Sequence, residues 1–224
     1  MKRLTLFITG TDTGAGKTVL ASLLARHLRA RGFPVAALKP VCSGGRGDAK
    51  ALWAALGGAL ALAEINPWHF RAPIAPLLAA RAERQKVKLA QVVIHARRIQ
   101  RRFPILIVEG CGGLLSPLGE DFDSLDLIKA LRAQPILVCP NRLGVLNQVL
   151  LVLAALPRKL SQQTQLVLGP PKRPDAASGG NLAFLRQKLG AGRVHVLPRV
   201  GSGLKNPRAT KVMDSLMRRL NLGG

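Results

Sequence analysis

The segment Gly10-Thr11-Asp12-Thr13-Gly14-Ala15-Gly16-Lys17-Thr18 constrains this chain more than any other. It stands between a short apolar run of strand type and an Ala/Leu-rich run of helical period. Glycines in such a loop let backbone N–H groups turn inward at a helix N-terminus, an arrangement that cradles phosphate oxygens. Gly14, Ala15, Gly16, Lys17, Thr18 and Val19 form the cradle, Lys17 reaches the outer phosphates, and the Thr18 hydroxyl suits Mg²⁺. The spacing is a variant: Thr11 holds the place of the usual first glycine, and Gly10 lies one residue earlier. The loop therefore predicts a nucleoside triphosphate bound with Mg²⁺, and a strand–loop–helix unit to carry it.

The rest of the chain repeats that alternation. Strands are expected at 4–9, 35–38, 104–108, 135–139, 165–168 and 193–197, the third and fourth being continuous apolar runs of the kind buried on both faces of a parallel sheet. Helices are expected at 17–31, 48–63, 75–84, 89–102, 181–189 and 208–220, with another opening at 143–147, and 169–180 reads as a Pro/Gly-rich surface loop. The class is α/β: one P-loop NTPase-like domain over residues 1–224, mostly parallel, with helices on both faces. Lys39, Glu109 and Asn141-Arg142 each follow a strand directly, as the glycine loop does. Polar groups gathered at the carboxyl ends of parallel strands mark a ligand crevice.

Thirty-four basic against 11 acidic residues give a formal charge of +23. Such a field attracts polyanions. The basic residues are nevertheless spread along the chain, the densest sets fall at helical spacing, and there is no tyrosine. That pattern predicts weak, salt-sensitive attraction and no specific nucleic-acid surface. The N-terminal apolar run passes straight into the glycine loop, and no window approaches a membrane span, so a cytoplasmic protein with no membrane partner is expected. Cys42, Cys111 and Cys139 show no metal spacing and read as packed or loop thiols.

Three further features carry chemistry. Glu109 ends an apolar strand before Gly110-Cys111-Gly112-Gly113, placing an acid where a second Mg²⁺ anchor belongs and bare backbone where phosphate or substrate can approach. Lys39, fixed by Pro40, can neutralise charge developed in phosphoryl transfer. Ser43 and the glycines after it allow a loop to close on a ligand. Asp48, ahead of an Ala/Leu run, reads equally as a helix N-cap.

Together these residues resemble the dethiobiotin synthetase family. Thr9 to Thr13 with Gly16-Lys17-Thr18, Lys39-Pro40-Val41 with Ser43-Gly44, Asn66-Pro67 with Phe70, Glu109-Gly110 with Gly112-Gly113, and Leu143-Gly144 with Asn147 follow in that family's order over roughly residues 4–156. The resemblance implies a homodimeric enzyme that makes dethiobiotin from 7,8-diaminopelargonate, CO₂ and ATP. It implies Thr18, Asp48 and Glu109 as Mg²⁺ ligands, Lys17, Lys39 and Thr13 as catalytic groups, and Thr13, Ser43, Leu143 and Asn147 on the diamine substrate. Pro198, Arg199 and Val200 join Gly110, Cys111 and Gly112 on the nucleotide.

The chain departs from that pattern where strand 165–168 runs into Gly169-Pro170-Pro171, a place the family gives to an asparagine that reads adenine. Triphosphates other than ATP are therefore admitted. Two alternatives share the P-loop. A partition or scaffold ATPase docking on DNA would suit the charge, but its second early lysine is absent. A glutamine-dependent amide ligase of corrin synthesis would need a further glutaminase domain.

Overall fold

A computed structural model of the chain describes residues 3–171, 177–201 and 206–222. Its strands are β1 (Leu4–Gly10), β2 (Val35–Leu38), β3 (Val41–Ser43), β4 (Trp68–Phe70), β5 (Ile105–Glu109), β6 (Pro117–Gly119), β7 (Phe122–Asp123), β8 (Gln134–Pro140), β9 (Gln165–Gly169) and β10 (Val194–Val196). Its helices are α1 (Lys17–Ala30), α2 (Gly47–Ala55), α3 (Leu62–Ile65), α4 (Pro76–Ala82), α5 (Leu89–Arg102), α6 (Ser124–Leu131), α7 (Val145–Ala155), α8 (Arg158–Gln163), α9 (Ala177–Leu189) and α10 (Pro207–Arg219).

Six strands form one parallel sheet in the order β10-β9-β8-β1-β5-β2. β2 and then β5 lie on one side of β1, while β8, β9 and β10 follow one another on the other, so the order reverses beside β1. A crevice opens at the carboxyl ends of strands at such a point. The register holds those ends level: Ile8 pairs with Glu109 and Gly10 with Val138. The runs Leu6-Phe7-Ile8, 105–108 and 136–139 are buried, as expected of strands covered on both faces. Two small two-stranded sheets, β3 with β4 and β6 with β7, brace the loops above.

The expected helix over 48–63 is divided. Gly57 and Gly58 both adopt positive φ (58° and 74°), which ends α2 before the short α3 begins. The loop expected over 169–180 is shorter, because residues 177–180 form the first turn of α9; positions 172–176 lie outside the described residues. α6 was not expected, although Asp123 and Asp126 form a reciprocal capping box that announces it. None of the described helices is long and apolar enough to cross a membrane.

His195 is buried on β10, its Nε2 facing Gln165 Oε1 at 3.1 Å. Burial, then the charges of Arg219 and Arg186, hold its pKa down at about 4. The unfolded chain binds this proton below about pH 6.5 while the folded one refuses it, so the group contributes stability above that pH and loses it as pH falls towards 4. Denaturant midpoints at pH 7 and pH 5 are expected to differ less for His195→Gln than for the unaltered protein.

Candidate active site

The site is built on the ends of β1, β5 and β2. Thr11 N donates to Val138 O (3.1 Å) and Gly110 N to Ile8 O (3.0 Å), which extends the sheet's pairing into both glycine loops. In the first loop Gly14 (φ 73°) and Gly16 (φ 98°) take the left-handed conformation. A β-carbon on Gly10 would stand 3.1 Å from Ala15 Cβ and 3.2 Å from Asp12 O, so the loop folds closely over its own first residue. α1 starts at Lys17 with no side chain capping it and no acid in its first turn. Its opening N–H groups thus keep the positive end of the helix for an external anion.

Five side chains converge above this loop. Lys39 Nζ donates to Glu109 Oε1 (2.7 Å), to Asp48 Oδ2 (2.8 Å) and to Gly110 O (3.0 Å). The Thr18 hydroxyl donates to the same Glu109 Oε1 at 2.7 Å. Lys17 Nζ is held by two carbonyls, Asp12 O at 2.9 Å and Gly112 O at 2.7 Å, and so ties the two glycine loops together. Lys17, Lys39 and Glu109 are all buried. Asp48 is not the cap of its helix. Arg46 holds that position, while Asp48 sits in the first turn with its carboxylate turned to Lys39.

The electrostatics follow from this packing. Burial alone would lower the pKa of Lys39, but the Glu109 and Asp48 carboxylates outweigh it and hold the ammonium above the ordinary lysine range. Lys17 has no such partner: burial first, then the neighbouring Lys39 charge, bring its pKa down. Burial pushes the Glu109 carboxyl upward, and Lys39 opposes this only in part. Burial also acts to raise Asp48, but there Lys39 prevails and the pKa is lowered.

The residues expected to hold Mg²⁺ fit that ion on one observation. Glu109 Oε2 is buried with no hydrogen-bond partner, beside a threonine hydroxyl and a second carboxylate. An ion held by one or two carboxylates together with phosphate oxygens has such a donor set. Among the described residues no group of three or more His, Cys, Asp or Glu has the arrangement of a closed metal site.

A cleft of about 570 Å³ runs from the loop towards β9 and β10. Thr13, Gly14, Ala15, Gly16 and Val19 line one end, and Gly169, Pro170, Pro171, Pro198, Arg199 and Val200 the other. The expected phosphate and base ends thus share one cleft, and Arg199 donates to Pro171 O across its far wall (2.9 Å). Cys111 is half-buried in the second glycine loop. A β-carbon at Gly112 would meet Ser116 Oγ and lie 3.9 Å from Thr13 Oγ1, which sets Thr13 against that loop. The Ser43 hydroxyl donates to Ile74 O, so it faces the 71–75 turn. Leu143, just before α7, and Asn147, in its first turn, stand exposed. Sequence reasoning missed the carbonyl holders of Lys17 and the lining roles of Val138 and Pro140; the register of β8 with β1 places Val138 beside Gly10, and its register with β9 places Pro140 beside Gly169.

A family model described as an AAA domain matches residues 4–203. ATP-dependent dethiobiotin synthetase BioD of Anaeromyxobacter dehalogenans (strain 2CP-C) is 44% identical over 158 residues, 69% of this chain and 71% of that one. The protein of the same name from Xanthomonas oryzae pv. oryzae is 34% identical over 191 residues, covering 82% and 85%. Among solved structures, the signal recognition particle receptor FtsY of Elizabethkingia anophelis superposes with a TM-score of 0.52 at 17% identity, over 96% of this chain and 65% of that one. At that identity the likeness concerns the fold alone.

Removing Lys39 strands a buried carboxylate, a change that costs on the order of 3–5 kcal/mol. Lys39→Met is expected to lower the unfolding free energy by that scale, and Lys39→Met with Glu109→Gln by clearly less than the two single changes added. Additive losses in urea titrations would show that the two side chains do not depend on one another.

Proposed function

The chain belongs to the family of ATP-dependent dethiobiotin synthetases, and on that premise we propose that it closes the ureido ring of dethiobiotin from 7,8-diaminopelargonate, CO₂ and ATP. The observation that carries this reading is the convergence of Lys17, Lys39, Thr18 and Glu109 at the head of a glycine loop. No nucleophilic side chain is needed there, because positioning and charge stabilisation carry phosphoryl transfer.

The chemistry takes three steps. One amine of the substrate adds to CO₂ and loses a proton, giving a carbamate. A carbamate oxygen attacks the γ-phosphorus of ATP, the bond to the β–γ bridging oxygen breaks, and ADP leaves. The neighbouring amine then attacks the carbonyl of the resulting mixed anhydride, expels inorganic phosphate and gives up a proton as the ring closes.

In this reading Gly14 to Val19 hold the phosphates by backbone N–H groups. Lys17 exchanges its two carbonyl partners for phosphate oxygens. Lys39 stays protonated and opposes the charge on the transferred group. Thr13 and Ser43 position the carbamate, and Gly110, Cys111 and Gly112 offer backbone without bulk. Thr18, Asp48 and Glu109 would hold Mg²⁺, which neutralises charge on the β- and γ-phosphate oxygens. The base lies among Gly169, Pro170, Pro171, Pro198, Arg199 and Val200. A homodimer is supported by α7 and the turn before it, which expose Leu151 and Leu143 respectively. With a second copy covering that face, Leu143 and Asn147 would meet the substrate's carboxylate at a helix N-terminus.

The direct test is release of phosphate from ATP with diaminopelargonate and bicarbonate, compared with each omitted. Release that needs all three is expected, and diamine-independent hydrolysis would contradict the proposal. Lys17→Ala should lower turnover about 100- to 1,000-fold with an unchanged melting temperature, the scale for one preorganised charge donor.

The base end of the cleft predicts its own selectivity. Gly169 has no side chain, and Pro170 and Pro171 have no N–H, so the wall offers carbonyl acceptors and the Arg199 guanidinium. A missing bidentate base contact forgoes about 1–3 kcal/mol of discrimination. GTP and CTP should therefore support kcat/KM within about ten- to a hundredfold of ATP, on that same scale. A preference for ATP beyond about a thousandfold would mean that another group reads the base.

A further inference from the structure

Outside the nucleotide cleft, a second polar cavity of about 310 Å³ lies against the outer edge of β10, between α9 and α10. It shares no lining residue with the nucleotide cleft. Arg186 of α9 and Arg219 of α10 reach it from opposite sides, with Ser215 and the buried His195 between them. No carboxylate lines it, and among the described residues neither arginine has an acidic partner within ion-pair distance.

Gly192 leaves room for the Arg219 guanidinium. A β-carbon at Gly192 would fall on it, so only glycine at that place lets the group lie where it does. His195 is oriented as well. Its Nε2 faces Gln165 Oε1, and the Gln165 amide in turn points its nitrogen at Gln163 O (3.4 Å). Nδ1 has no hydrogen-bond partner among the described residues. Two guanidiniums, a hydroxyl and an imidazole around a small polar hollow are complementary to a tetrahedral oxyanion.

We propose that this cavity binds a single phosphate group, free or carried as a monoester. The charged and polar groups facing His195 are Arg186 on α9, Arg219 on α10 and Gln165 on β9. An oxyanion there offsets the two arginine charges that oppose protonation of the ring. Nδ1 can then take a proton and donate it to the ligand, so binding takes up a proton and weakens as pH rises.

The test follows the His195 ring by NMR in the full-length protein with the nucleotide cleft filled by a non-hydrolysable MgATP analogue. Inorganic phosphate and glycerol phosphate are titrated separately. A saturable change confined to His195 and its neighbours is expected, with the ring's pKa raised by about one unit or more, as a nearby opposite charge does. The tighter of the two ligands identifies the source of the phosphate group. Arg219→Ala should weaken binding about tenfold or more. Gly192→Ala should do likewise, although it keeps both charges and only displaces Arg219. A change that does not saturate, or that is equal in Gly192→Ala, would reduce the effect to general screening by a basic surface and overturn the proposal.

Discussion

The ion pair between Lys39 and Glu109 is the interaction on which the rest of the site depends. Taking both charges out of water costs several kcal/mol per ion, and good geometry only roughly repays it. The pair has that geometry because β2 and β5 are adjacent and parallel, so the residue after β2 and the last residue of β5 reach the same edge. Glu109 Oε1 takes a second donor from Thr18, the first residue but one of α1. Strand β2, strand β5 and the glycine-loop helix are thereby joined at one oxygen. The other oxygen of the carboxylate is left without a partner, which suits it to a ligand rather than to the fold.

That arrangement also separates the two lysines in function. Lys39 is committed to carboxylates and keeps its proton, whereas Lys17 is held only by neutral carbonyls and can be exchanged onto an anion. Its lowered pKa reflects the cost of holding a charge there without an acidic partner. In the proposed reaction a bound triphosphate would supply that partner. The site is thus prepared by one satisfied ammonium and one under-compensated one, both fixed before the ligand arrives.

Much of this was legible in the sequence, and the reasons are specific. β5 and β8 carry runs of apolar residues with no alternation, and such runs have few places to go except the centre of a parallel sheet. The glycine loop carries its own spacing, and Lys39 and Glu109 could be set at one edge because each follows a strand. What could not be read was contact between distant positions. That Lys39 would bond Glu109, seventy positions away, is decided by the strand order 1-5-2, which one-dimensional patterning does not contain. Asp48 looked like a cap because capping is a local rule, and the tertiary partner overrode it. The helix over 48–63 failed for the opposite reason: the Gly57-Gly58 break was visible, and the Ala/Leu period around it hid its effect.

In the proposed reaction the phosphoryl group passes to a carbamate oxygen and not to water. Supplying ¹⁸O-labelled CO₂ by rapid mixing, before it exchanges with solvent, and reading the released phosphate by mass spectrometry tests this most directly. One labelled oxygen from CO₂ is expected in each inorganic phosphate, formed in step with dethiobiotin. Phosphate that carries an oxygen from water instead would contradict it.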